Sequence, residues 1–314
     1  MCMRYISGLK TLAKDFYHYN FSGMNELFSY DDTHEDNIEI FMKDNSFLEI
    51  PKVIWMYWDD ASIPPYISLM IDKIRNDNKD HDLVVLNKNN LVSYIEDLKF
   101  SSDKYIPIAN KSDIIRLELL KRYGGIWIDS SVILTKPISW VHDINKDKKV
   151  DLIGYYRDVS TKDRMYPIVE SWFLCSQKNN LFINEWLDVL SPLKEMGAKE
   201  YFNMIKSRPD YEAILQGIHK PDYLLVYLAQ QIAMRKINFN LFSKRSESSA
   251  FLYQENESWN SSAIARDLCI KKSPITLPPV IKLTNANRCG IEKLIKFKLV
   301  KKDSIIGKLM SGAL

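Results

Sequence analysis

The chain has 314 residues, of which 46% are hydrophobic and 26% are charged, and its formal net charge is +3. A chain of this length and composition can bury a core large enough to fold without disulfides or structural metal ions. The small net charge argues against a nucleic-acid partner, because domains that bind nucleic acids are usually strongly basic.

The spacing of the cysteines and the hydropathy of the chain indicate its cellular compartment and whether it spans a membrane. The four cysteines lie far apart and form no CxxC pair, so we expect neither a zinc finger nor a disulfide scaffold. This usage is typical of a reducing compartment. The N-terminal segment lacks the apolar run of a signal peptide, and no stretch approaches the ~18 apolar residues of a membrane helix. The sequence therefore predicts a cytoplasmic protein.

Strand and helix patterns alternate after an N-terminal extension, residues 1–48, which is predicted to be helical. Strands are predicted at 51–58, 82–87, 126–134, 151–156 and 171–176, and helices at 90–98, 111–123, 181–190 and 222–236. This alternation indicates an α/β fold with a mostly parallel sheet that helices cover on both faces. Ligands of such sheets bind at the carboxyl ends of the strands.

The helix predicted at 111–123 carries two charged residues on an apolar face. Asp113 and Arg116, three residues apart, share this face with Leu117 and Leu120. One interpretation is an exposed ion pair worth less than about 1 kcal/mol. The other is that the pair points inward, where a ligand or the partner charge must satisfy each group. Gly124 is placed to end this helix.

A lone carboxylate ends the next strand. Gly124 and Gly125 allow a tight turn into this strand and the close approach of a ligand. Because strand residues alternate, Trp127, Asp129 and Ser131 lie on one side. Asp129 therefore falls where the apolar strand ends. Its carboxylate is suited to a divalent cation that neutralises a diphosphate, or alternatively it begins a turn or caps a helix.

The segment SDIIRLELLKRYGGIWIDSSVILTKPI, residues 112–138, strongly resembles the core motif of bacterial capsular polysaccharide synthesis glycosyltransferases. These are relatives of the DXD-motif sugar transferases of glycosyltransferase family 32. IPKVIWMYW (50–58) and ESWFLCSQKNNLFINEW (170–186) resemble two further segments of that group. The resemblance implies a single Rossmann-like, nucleotide-sugar-binding domain of the glycosyltransferase A type, with a mostly parallel central sheet and added helices. We expect this domain to span residues 49–290.

The resemblance also implies roles for individual residues. Asp113 and Arg116 would hold the donor sugar and its phosphates, and Asp129 would contact the ribose, a metal ion (Mn²⁺ or Mg²⁺) or both. These three residues are the expected catalytic residues. Trp58 would stack on the base, and Tyr57 would offer its backbone to it. The expected donor-binding residues are Tyr57, Trp58, Asn87, Gly124, Gly125 and Ser131.

Two positions depart from the family's pattern. The wider group often has a second carboxylate where this chain has Ser131, and relatives carry a histidine where it has Ile281. A cation at Asp129 would therefore take most of its ligands from the diphosphate and from water.

The resemblance implies an enzyme that transfers a sugar from a nucleotide diphosphate, with a UDP-sugar as the expected donor. The acceptor would be a glycan or a lipid-linked glycan in bacterial surface polysaccharide synthesis, and the anomeric configuration would be retained. An alternative is a non-catalytic nucleotide-sugar-binding or assembly protein with the same fold. A nucleotidyltransferase is disfavoured, because the sequence has no GxxxxGK phosphate loop.

The C-terminal tail, residues 291–314, mixes apolar residues with six lysines. This pattern fits an interfacial helix attracted to anionic lipid, or an ordinary basic surface helix. The first interpretation places the protein peripherally at the inner face of the plasma membrane. It predicts that deletion of residues 291–314 releases the protein from membranes.

Overall fold

The computed structural model describes residues 2–21, 26–42 and 48–314. Its strands are β1 (Asn37–Phe41), β2 (Val53–Tyr57), β3 (Asp82–Leu86), β4 (Gly125–Ile128), β5 (Val132–Leu134), β6 (Leu152–Tyr156), β7 (Val169–Ser176), β8 (Asn240–Arg245) and β9 (Val280–Lys282). Its helices are α1 (Cys2–Phe21), α2 (Pro65–Asp77), α3 (Ile108–Tyr123), α4 (Trp140–Lys148), α5 (Leu181–Leu190), α6 (Leu193–Lys206), α7 (Tyr211–Leu215), α8 (Leu225–Met234), α9 (Leu252–Asn256), α10 (Ser261–Ile270), α11 (Asn285–Lys296) and α12 (Ile305–Ser311).

A seven-stranded sheet in the order β1-β8-β6-β7-β4-β2-β3 forms the centre of the fold. Strands β3, β2 and β4 run parallel to one another, as do β6 and β8. Strand β7 is antiparallel to both β4 and β6, and β1 is antiparallel to β8. Five strands therefore point in one direction and two in the other. The predicted α/β fold with a mostly parallel sheet is confirmed.

Alternate residues of the central strands enter two hydrophobic cores, one on each face of the sheet. Ile54, Ile126 and Ile128 belong to the core beneath α2 and α10. Trp55 and Trp127 belong to the core beneath α3, α5 and α8. The two-residue period predicted for the strand before Asp129 is thus confirmed, because it separates the isoleucines from Trp127.

The prediction of a helix at 90–98 is wrong, because this segment contains only a short 3₁₀ turn at Leu91–Ser93. Asn90 Oδ1 accepts from the backbone N of Asn87 at 2.7 Å, and Asn87 Oδ1 accepts from the backbone N of Asn89 at 2.8 Å. Asparagine side chains that bond nearby backbone groups compete with helix formation. The other predicted helices are confirmed: 111–123 lies within α3, 181–190 is α5, and 222–236 contains α8.

The stretch predicted as one strand at 126–134 is two strands in separate sheets. Strand β4 ends at Ile128, whereas β5 pairs with β9 in a small antiparallel sheet. Between them the backbone N of Asp129 donates to the Trp172 carbonyl at 2.9 Å, and Val132 N donates to the Asp129 carbonyl at 3.0 Å. The chain therefore leaves the central sheet in a turn that begins at Asp129.

The N-terminal extension contributes a strand as well as a helix. Strand β1 forms one edge of the central sheet by pairing with β8. In α1, the Asp15 carboxylate lies 3.2 Å from Arg266 Nη1 and 3.2 Å from Lys293 Nζ, so buried ion pairs attach this helix to α10 and α11. Residues 22–25 and 43–47 of the predicted extension lie outside the described residues.

The C-terminal tail is part of the main core, which corrects the prediction of an appended amphipathic tail. The predicted boundary at 290/291 falls inside α11. The apolar residues beyond it that pack in this core are Ile291, Leu294, Leu299, Ile305, Ile306 and Leu309. These side chains face protein, so they do not form an apolar surface for lipid, and deletion of residues 291–314 would expose the core. Among the described helices, none is long and apolar enough to cross a membrane.

We expect Leu294→Ala to lower the free energy of unfolding by about 2–5 kcal/mol, because it leaves a cavity in the core. Leu294 is 2% exposed, whereas Met310 in α12 is 45% exposed. Met310→Ala is therefore the matched control, with an expected change within about 0.5 kcal/mol. Urea denaturation followed by tryptophan fluorescence measures both. Equally small changes in the unfolding free energy of the two variants would contradict the burial of the Leu294 side chain.

Candidate active site

The carboxyl ends of three parallel strands bring predicted site residues to one edge of the sheet. Trp58 follows β2, Asn87 follows β3, and Asp129 follows β4. Strand β2 lies between β3 and β4 and is parallel to both. The three residues therefore share the edge where ligands of α/β sheets bind.

Arg116 on α3 is buried, and its side chain is 6% exposed. Its Nη1 lies 3.1 Å from Asp113 Oδ1, and its Nη2 lies 3.3 Å from Asp129 Oδ1. Nη1 also donates to Ser171 Oγ, and the guanidinium lies 5.1 Å from the centre of the Trp127 ring. Of the two interpretations of the Asp113–Arg116 pair, the inward one is correct. Arg116 therefore links the helix to the carboxylate at the end of β4.

Lys282, which the sequence did not predict as a site residue, supplies a second cation to Asp129. Its Nζ lies 2.6 Å from Asp129 Oδ2 and 2.8 Å from Ser131 Oγ. Lys282 pairs with Val132 in the small sheet, so β9 directs its side chain to the turn after β4. A lysine inside the apolar segment PPVIKL, directly after Ile281, was the available signal.

The two carboxylates differ in their affinity for a proton. Burial alone would raise the pKa of Asp129, but Lys282 and Arg116 outweigh burial and lower this pKa to about 2. Burial raises the pKa of Asp113 to about 6 in spite of Arg116, and the negative charge of Asp129 adds to the rise. Asp129 is therefore anionic at all physiological pH values, whereas Asp113 gains a proton in mild acid.

Trp58 lies at the rim of the site beside another cation that the sequence did not predict. The guanidinium of Arg288, in the first turn of α11, lies 5.3 Å from the centre of the Trp58 ring. Arg288 also donates to Asn285 Oδ1 at 3.0 Å. The segment from β9 to α11 thus contributes both Lys282 and Arg288 to this edge of the sheet.

Tyr57 and Asn87 lie at the predicted edge, but structural hydrogen bonds engage their polar groups. The Tyr57 carbonyl accepts from Ser130 Oγ at 2.9 Å, which ties the end of β2 to the turn after β4. The Tyr57 hydroxyl donates to Asp59 Oδ1 at 2.6 Å. The side-chain oxygen of Asn87 accepts from backbone N–H groups of its own turn.

Gly124 and Gly125 do not lie at this edge, although they were predicted to bind the donor. Gly125 begins β4, four residues before Asp129 or about 13 Å away along a strand, and Gly124 directly precedes it. Both have positive φ angles, 68° and 98°. A Cβ on Gly125 would lie 2.5 Å from Val53 Cγ1, and one on Gly124 would lie 2.5 Å from the backbone N of Lys178. The two glycines therefore permit a turn and close packing.

The residues around Asp129 do not fit a divalent cation. Its Oδ1 accepts from Arg116 Nη2 and from Trp127 Nε1 at 3.0 Å, and its Oδ2 accepts from Lys282. Asp113, the other carboxylate, is paired with Arg116. Within residues 2–21, 26–42 and 48–314, no group of three or more His, Cys, Asp or Glu side chains could hold a metal ion. Mg²⁺ and Mn²⁺ prefer several oxygen ligands, and here two cations already occupy the carboxylate that follows β4.

The family model described as capsular polysaccharide synthesis protein matches residues 14–211, more than half of the chain. The chain belongs to this family. Asp113, Arg116 and Asp129 lie within the matched residues, whereas Lys282 and Arg288 lie beyond them.

The chain is also similar to individual proteins. O-glycosyltransferase braB of Annulohypoxylon truncatum is 27% identical over 160 residues, which cover 45% of this chain and 37% of that protein. Among solved structures, PaToxG Glycosyltransferase covers 98% of each chain at 18% identity, with a TM-score of 0.34. The UDP-bound glycosyltransferase domain from the YGT toxin is 11% identical, with a TM-score of 0.31, and covers 81% of this chain and 79% of that domain. Both structural likenesses are loose.

We expect Asp113→Asn to remove one component of the pH dependence of stability. The raised pKa of Asp113, about 6, means that the folded state binds a proton more tightly than the unfolded state. The stabilisation of the folded state that results from this proton is present in mild acid and is lost as the pH rises through about 6. The unfolding free energy of the wild type should therefore gain about 2 kcal/mol relative to the variant between pH 7 and pH 4.5. Urea denaturation across this range measures it, and parallel profiles would contradict the assignment.

Proposed function

We propose that the protein is a glycosyltransferase that moves a sugar from a nucleoside diphosphate to a hydroxyl group of a glycan. The observation that carries this proposal is the cationic cluster at the carboxyl edge of the sheet, in a chain of the capsular polysaccharide synthesis family. Arg116 and Lys282 pair there with two carboxylates, and Arg288 is close enough to act on Lys282 electrostatically. Such a surplus of positive charge suits a diphosphate, which Arg and Lys side chains bind by charge-assisted hydrogen bonds.

In the proposed reaction, the bond between the anomeric carbon and the diphosphate oxygen breaks, and its electron pair stays on that oxygen. The acceptor oxygen forms the new bond to the anomeric carbon, and its proton passes to the departing diphosphate. Arg116 is buried and held in place by Asp113, so its positive charge needs no reorganisation as negative charge develops. Attack on the face that the diphosphate leaves retains the anomeric configuration.

We infer that the nucleotide lies along the rim formed by Trp58 and Arg288. The indole ring offers an aromatic face to a base, and a guanidinium can stack on the same kind of surface. The expected nucleotide is UDP. Ser131 would act by positioning Lys282, since its hydroxyl accepts a hydrogen bond from that ammonium.

The proposed setting is the synthesis of a bacterial capsular or surface polysaccharide at the inner face of the plasma membrane. Family membership supports a role in capsular polysaccharide synthesis, and the acceptor would be a glycan or a lipid-linked glycan. Because six apolar residues of the C-terminal segment are buried in the core, membrane contact would depend mainly on its exposed lysines. Lys296, Lys298 and Lys302 are exposed and could interact with anionic lipid head groups.

A donor screen tests the proposed function. Purified protein is incubated with a panel of nucleotide sugars, with and without glycan acceptors, and the released nucleoside diphosphate is measured. We expect slow hydrolysis of one donor and faster release with an acceptor. Asp129→Asn should lower the rate about 10²–10³-fold, because it removes the carboxylate that holds both cations in position.

Asp188→Asn is the matched control for this screen. Asp188 lies on α5 with a side chain that is 65% exposed, so its replacement should leave the rate unchanged. If the protein binds a nucleotide sugar but does not turn it over with any acceptor, the proposal is wrong and the non-catalytic binding protein is favoured.

A further inference from the structure

We propose that the Lys282 ammonium takes the place of a divalent cation at Asp129, so that nucleoside diphosphates bind and leave without a metal ion. This inference rests on the proposed function, since it concerns how the same site holds the diphosphate. It assigns to a residue of the chain the charge that a metal ion was expected to supply.

The position of Lys282 is fixed by hydrogen bonds at both its backbone and its side chain. Strand β9 pairs with β5, and the next residue, Leu283, donates its N–H to the Ser131 carbonyl at 2.9 Å. The side chain of Lys282 is 11% exposed. The ammonium is therefore held beside Asp129 before any ligand arrives, as a bound metal ion would be.

The ammonium keeps a donor for a ligand. Lysine carries three N–H donors, and among the described residues its hydrogen-bond acceptors are Asp129 and Ser131. The third N–H can reach a phosphate oxygen. Asp129 is 25% exposed, so the pair is open to solvent on one side. A diphosphate that approaches from this side would meet the positive group without displacing its partners.

The local charges suit this role. Asp113 and Asp129 together balance Arg116 and Lys282, so these four side chains carry no net charge at neutral pH. Arg288 is close enough to act on Lys282 electrostatically and adds a further positive charge. At Ser131 the neutral hydroxyl accepts a hydrogen bond from Lys282 without cancelling its charge.

The first experiment uses the wild-type protein, with UDP as the probe. UDP binding is measured by isothermal titration calorimetry in EDTA and in 1–5 mM Mn²⁺, a range of the order used for weak divalent sites. Donor hydrolysis is measured under the same two conditions. We expect similar UDP affinity and similar rates, within about threefold. UDP binding or hydrolysis that is abolished by EDTA and restored by Mn²⁺ would overturn the inference.

A second readout measures the metal directly. Mn²⁺ is titrated into the protein, and free Mn²⁺ is followed by electron paramagnetic resonance with and without UDP. We expect no Mn²⁺ bound beyond the amount that UDP binds by itself. An additional bound Mn²⁺ that disappears in Asp129→Asn would overturn the inference even if the rates were unaffected.

Two substitutions separate a role in catalysis from a role in folding. Lys282→Met keeps the length of the side chain and removes its charge, and should lower kcat about 10²–10³-fold in EDTA. Lys282→Arg keeps the charge and should retain most of the activity. Lys236→Met is the control, because Lys236 forms an exposed ion pair with Glu185. If kcat is unchanged in Lys282→Met and only the melting temperature falls, Lys282 serves folding and the inference is wrong.

The two proposals can fail separately. If no donor is turned over, the proposed function fails, but UDP binding still decides the role of Lys282. UDP binding in EDTA that weakens in Lys282→Met supports the inference, and UDP binding that requires Mn²⁺ overturns it. The wild-type measurements need no variant, so an unfolded variant does not prevent the test.

Discussion

One carboxylate, Asp129, is shared by two buried cations that come from distant parts of the chain. Arg116 belongs to a helix on one face of the sheet, and Lys282 belongs to a small sheet at its edge. The removal of one partner from a buried ion pair costs several kcal/mol, since the remaining charge is left without compensation. The carboxylate therefore holds together the end of β4, helix α3 and the segment that follows residue 280. The same arrangement keeps Arg116 and Lys282 in place for the proposed diphosphate.

The local features around this carboxylate were predictable from the sequence. Strands β2, β3 and β4 are short apolar runs, and helix α3 has helical spacing up to Gly124. Asp129 was expected at the end of a strand because it follows such a run. The glycine pair ends helix α3 and begins β4 as predicted, but its expected role in donor binding does not agree with this position, for a geometric reason. Gly124 and Gly125 are close to Asp129 in sequence, but an extended strand separates them and places them at opposite ends of the sheet.

Contacts between distant residues explain what the sequence did not predict. Lys282 lies 153 residues from Asp129, and only the pairing of β5 with β9 brings the two together. The apolar residues of the C-terminal segment have the same spacing whether they face lipid or a protein core, so the pattern could not distinguish these environments. In the short segment after β3, hydrogen bonds from asparagine side chains prevailed over a helical apolar pattern.

The long separation between Asp129 and Lys282 has a consequence for synthesis of the chain. Translation proceeds from the N-terminus, so a ribosome exposes the strand that ends at Ile128 well before it exposes β9. Until then, of the two cations that hold Asp129 in the finished fold, only Arg116 has been made. The nascent polypeptide thus lacks Lys282 while the 153 residues that separate it from Asp129 are being made, and the cluster is complete only when β9 pairs with β5.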